Sequence, residues 1–127
     1  MTTTKGTNEM KTTMIRQGDV LLVRVDAKMS ALDAAPQDPR GLVLAEGETS
    51  NHHHAVFGKG TRLCQYKTSG QRVVVVPRDC TDAVVRVVGG GAGGIDRHTP
   101  ISLSPGKYEV RIQRAWTSER ASRQVSD

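Results

Sequence analysis

The chain has 127 residues, a formal net charge of +5, 36% hydrophobic residues and only 3% aromatic ones. That length suits one domain with a single core that needs no disulfide or metal staple. Trp116, Phe57, Tyr66 and Tyr108 are the only rings, which weighs against a base-stacking surface and a large aromatic pocket. A pI of about 9.6 favours anionic partners, but the basic residues are spread along the chain, and that weighs against a nucleic-acid footprint.

Residues 1–13 are polar and threonine-rich, with no apolar periodicity, and are expected to form a flexible N-terminal arm. The start carries no apolar h-region, and no apolar run approaches the ~20 residues of a membrane span. A soluble protein made in a cytoplasm, with no membrane partner, is therefore expected.

From Met14 the pattern changes. Gly18-Asp19 reads as a turn and Val20 to Asp26 as a strand. In that strand Leu21, Val23 and Val25 share one face, while Val20 and Leu22 share the other with Arg24 and Asp26. Residues 27–40 hold two prolines and read as a surface loop with room for one helical turn through Met29 to Leu32. Leu42 to Ala45 is a short strand, and Ala55 to Phe57 another. Gly58-Lys59-Gly60 then reads as a tight turn into a hairpin partner at Thr61 to Lys67.

Val73 to Val76 is an unbroken β-branched run suited to a strand covered on both faces. Ala83 to Val88 supplies another valine strand. The glycines from Gly89 to Gly94 read as a loop, because no GK[ST] or helix start follows them to cradle a phosphate. Pro100 to Leu103 and Lys107 to Gln113 are the last strands, joined at Ser104-Pro105-Gly106, a sequence that fits a type II turn. In the final strand Tyr108, Val110 and Ile112 should point inward. The fold class is thus all-β: a small single-domain barrel or sandwich of about seven or eight short strands. The β domain spans 14–117, and 118–127 forms a polar C-terminal tail.

Four histidines carry the chemistry. His52, His53 and His54 are consecutive, and His98 lies further on. In a strand His52 and His54 project to one face and His53 to the other. With His98 alongside, His52 and His54 would form a three-histidine set for a divalent transition metal such as zinc, with Glu46, Glu48 or Asp96 as a source of oxygen. Solvated or backbone-bonded histidines are the plainer reading. Cys64 and Cys80 show no CxxC spacing; they could bridge, bind metal singly or sit buried as small apolar residues. At the C-terminal end Arg111, Arg114, Arg120 and Arg123 surround Trp116, which suits either phosphate contacts or docking onto a protein neighbour.

The segments RQGDVLLVRVD (16–26), LVLAEGETSNHHHAV (42–56) and HTPISLSPGKYEVRIQRAW (98–116) together resemble a family of short, mostly uncharacterised phage and bacterial proteins. That family shows QGDVLL, AEGE with T-G-H-A-H, and H-E-E-H followed by P-I-x-L-P-P-G-x-Y-x-V-x-R-Q. His52 and His54 match the two histidines of H-A-H, and His98 matches the second of H-E-E-H. Ile95 stands where the first would be, so a shared metal site would here lack one ligand.

The resemblance implies phage association and no particular reaction. The leading expectation is a non-enzymatic protein acting through protein–protein contacts, such as a capsid decoration protein of the virion. Its partners would be a capsid or other phage structural protein and further copies of itself as a homo-oligomer. The alternative is a metal-binding cupin-like protein or metalloenzyme using His52, His54 and His98. A nucleic-acid-binding regulator using the arginine tail is a third, weaker choice.

Overall fold

The structure is a computed structural model describing residues 14–47, 52–89 and 100–113. The chain order is β1 (Met14–Gln17), β2 (Val20–Val25), a 3-10 turn (Met29–Ala31), β3 (Leu32–Ala34), β4 (Leu42–Glu46) and β5 (His52–Phe57). There follow β6 (Arg62–Tyr66), β7 (Arg72–Val76), β8 (Val84–Gly89), β9 (Ile101–Ser102) and β10 (Gly106–Ile112). They form a six-stranded antiparallel sheet, β1-β2-β10-β7-β6-β3, and a four-stranded one, β4-β5-β8-β9. The two sheets remain separate, so of the two all-β architectures expected the chain adopts the sandwich and not the closed barrel.

The core lies between the sheets. Val20 and Leu22 of β2, Val74 and Val76 of β7, and Tyr108 and Val110 of β10 meet Leu44, Val56 and Val85 from the smaller sheet. Strand alternation produces this face, and each buried aliphatic side chain there contributes about 1.5–3 kcal/mol. The inward face of β2 is the one with Val20 and Leu22, and Arg24 continues it at the sheet's end.

Val73 and Val75 project the other way, yet they too are buried. The route of the chain explains this. β2 and β3 run parallel with three strands between them. Val25 lies in the row of Lys107, Val75 and Arg62, whereas Leu32 sits opposite Tyr66 at the far end of β6. The connection therefore crosses the outer face diagonally. Ala27 and Leu32 join Val73, Val75 and Cys64 in a second small cluster. The valine run is covered on both faces, as its composition indicates.

Three expectations need correction. β1 and β3 add to the strand count, bringing it to ten among the described residues. β5 and β6 do not form a hairpin: β5 pairs with β4 and β8, and β6 with β3 and β7. The glycine turn between them instead carries the chain from one sheet to the other. Gly58 has φ +145, and a Cβ there would lie 2.7 Å from the Ala83 Cα, so the corner packs backbone against backbone where only glycine fits. Ile112, read as inward, is 36% exposed, because β10 runs on beyond its pairing with β7, which ends at Glu109 opposite Val73. The expected terminal arm and tail lie outside the described residues.

Candidate functional site

The histidine run is the central segment of the smaller sheet. β5 lies between β4 and β8, with His54 opposite Ala45 and Val87, and His53 opposite Glu46 and Val88. His54 shares the inward face with Val56 and is only 4% exposed. Its Nδ1 lies 3.0 Å from Gln17 Oε1, and Gln17 Nε2 donates to the Val85 carbonyl at 3.0 Å. This chain of bonds fixes the chemistry. The Gln17 amide nitrogen must face the carbonyl, so its oxygen faces the imidazole and the His54 Nδ1 carries the proton. In the neutral ring the lone pair then sits on Nε2. Gln17, itself 2% exposed, reaches from β1 across the sandwich to β5 and β8.

Gln17 escaped the sequence reading. The available signal was a polar residue at an inward position, two after Ile15, in a segment too short to read as a strand.

The preceding AEGE segment has a structural task. The Gly47 amide donates to the His52 carbonyl at 2.7 Å, and a Cβ at Gly47 would fall 2.5 Å from the His52 Cβ. Glycine is what allows β4 and β5 to close together beside the histidines. Glu46, considered as a metal ligand, instead serves a surface ion cluster. Arg40 Nη2 lies 3.0 Å from Asp38 Oδ2 and 2.6 Å from Glu46 Oε2. The side-chain hydrogen bonds from Arg40 hold Asp38 down at about 2 and depress Glu46 as well, with a smaller contribution from the charge of nearby His53.

Among the described residues no group of three or more His, Cys, Asp or Glu side chains is arranged to hold a metal ion. His52 and His54 share the inward face as their spacing requires. His98, Glu48 and Asp96 lie outside the described residues. So do Arg114, Trp116, Arg120 and Arg123 of the expected partner-binding set. The remaining member, Arg111, is bound to Glu109 on its own strand, with Nη2 to Oε1 at 2.6 Å.

Cys64 and Cys80 are free and buried in different apolar clusters. They behave as the small apolar residues that was one of their readings. Cys80 Sγ also donates to Asp82 Oδ1 at 3.3 Å. The backbone amide of Lys59 and this thiol together lower the Asp82 carboxyl.

Two arginines brace the sandwich. Arg72, on the inward face of β7 and half-buried, donates to the Val43 and Leu44 carbonyls at the irregularity in β4. Burial lowers its pKa. Arg24 donates to the Pro105 carbonyl, Ser104 Oγ and Tyr108 Oη at 3.0, 2.7 and 3.0 Å, and its guanidinium lies 5.0 Å from the Tyr108 ring centre. It thereby clamps the corner where the chain passes from β9 to β10.

Residues 16–113 match the family model described as Domain of unknown function (DUF8820). The chain belongs to the DUF8820 family. The match runs from the strand that carries Gln17 to the end of β10, so it contains the Gln17–His54 bridge and both arginine clamps. No curated protein and no solved structure matches this DUF8820 chain. No helix among the described residues is long and apolar enough to cross a membrane.

Proposed function

We propose that this DUF8820 protein is a non-enzymatic β-sandwich acting through protein–protein contacts, and that the assembly it joins is a phage particle, in the manner of a capsid decoration protein. The observation that carries this reading is the engagement of His54. The most chemically suggestive segment of the sequence contributes an imidazole that braces the two sheets through Gln17. Both cysteine thiols lie in apolar clusters. The exposed large apolar residues Met14, Met29, Phe57 and Ile112 are distributed over separate strands and the crossing segment, which leaves several surfaces for neighbours. The phage association comes from the sequence resemblance.

Self-association is the first thing to measure. Size-exclusion chromatography with light scattering on the full chain is expected to show an assembly of two or more copies. A monomer across the accessible concentration range contradicts the homo-oligomer.

One observation favours a second reading. Gln17 fixes the tautomer that leaves the His54 lone pair on Nε2, and His52 lies two residues away on the same face. Partners of this kind orient metal-ligating histidines. Zinc would need a further ligand beyond His52 and His54. Metal analysis of tag-free protein, beside His54→Ala, tests this: retained zinc that the substitution abolishes supports a metal-binding protein, and its absence opposes one.

A further inference from the structure

The outer face of the six-stranded sheet carries a second feature. In one cross-strand row, Lys107 of β10 and Arg62 of β6 flank Val75 of β7. Two strand spacings place their backbones about 10 Å apart. Val75 between them is largely covered by the crossing segment, 8% exposed, and closes the apolar bottom of the space. Just past β7, Arg78 adds a third cation. Met29, Pro77 and Pro105 complete the walls of an open groove of about 440 Å³.

No acidic residue lines this groove. The nearest carboxylate along β10 on the same face, Glu109, is bound to Arg111, which faces away from Lys107 along the strand. None of Arg62, Arg78 and Lys107 takes part in an ion pair among the described residues. Three like charges gathered around an apolar floor repel one another, and an anion placed between them relieves that repulsion.

We propose that this groove receives an acidic, extended segment of a partner polypeptide; the inference rests on the protein–protein reading above and names the chemistry of one contact. The walls decide between anions. Arg62, Arg78 and Lys107 could also hold a lone phosphate, but Met29, Pro77 and Pro105 add apolar wall that a phosphate leaves unused and a peptide covers. No aromatic ring lines it to stack a base. An extended peptide repeats each face about every 7 Å, so successive acidic side chains on one face can reach the flanking cations while its backbone lies along the proline and methionine walls.

The test is fluorescence anisotropy on the full chain with a labelled peptide of alternating glutamate and valine. Its lysine-valine counterpart and a single-stranded oligonucleotide serve as competitors. Binding of the acidic peptide is expected, weakening with salt and falling at least about tenfold in Arg62→Glu and in Lys107→Glu. Arg86→Glu, an exposed cation on the other sheet, makes the same charge change and is expected to leave binding intact. Circular dichroism checks that each variant is folded.

Equal loss in Arg86→Glu would reduce the effect to net charge and overturn the groove. Competition by the oligonucleotide at equal charge would overturn it in favour of nucleic acid. No peptide binding, in a protein that still co-purifies with particles, would overturn the groove alone and leave the broader reading standing.

Discussion

Gln17 and His54, 37 residues apart in sequence, meet across the sandwich with Oε1 3.0 Å from Nδ1. Both are nearly fully buried, so each satisfies a group that water cannot reach. Gln17→Ala leaves the His54 Nδ1 proton and the Val85 carbonyl without this amide, at a cost of about 1–3 kcal/mol. The double change Gln17→Leu with His54→Leu removes both polar partners and should recover more than half of that loss. Urea denaturation of the three proteins reads the difference.

Gly47 and His52 are in closer backbone contact than any side chain at position 47 would allow. Gly47→Ala must push β4 from β5 at the end of their hairpin, since both colliding atoms are Cβ atoms held by backbone. The expected cost is about 1–3 kcal/mol. Amide exchange at Gly47, which donates to the His52 carbonyl, should accelerate before that of the β5 core.

Arg72 is expected to be more important than a half-exposed arginine usually is. Its guanidinium supplies donors to two carbonyls at the β4 irregularity. Arg72→Leu keeps the packing of the stem but leaves those carbonyls without their donors, costing about 1–3 kcal/mol and loosening β4. Arg72→Lys should recover only part, because a point ammonium replaces a planar fork.

The Arg40 cluster sets a pH dependence. Asp38 is lowered from 3.8 to about 2 by hydrogen bonds from Arg40. A depressed carboxyl adds stability that is complete above its unfolded value and disappears as pH falls through its folded one. The contribution of Asp38 should therefore fade between about pH 4 and pH 2, and it should be small because the cluster faces solvent. In Arg40→Ala the carboxyl should return toward the ordinary aspartate range, which a carbon-detected NMR titration follows directly.

Much of the fold could be read from alternation. The inward positions Tyr108 and Val110 of β10 followed from alternation, and the two-sided burial of β7 followed from its unbroken valines. β1 and β3 could not be read, because each offers too few inward positions, and one inward position of β1 is a glutamine. The Gly58-Lys59-Gly60 turn misled for a different reason. Turn residues determine a local bend, whereas the sheet joined by the next strand depends on distant packing, here Ala83 against Gly58. The same limit applies to the histidines. Their spacing gave the shared face of His52 and His54, but the partner of His54 came from a residue 37 positions away.

The proposed role places this protein in a larger assembly. The most direct test is quantitative mass spectrometry of density-gradient-purified phage particles from cells expressing the full chain. The chain is expected in those particles at a fixed copy ratio to the major capsid protein, retained through a salt wash. Its absence from the particles, with all of it recovered as free monomer, would rule that role out.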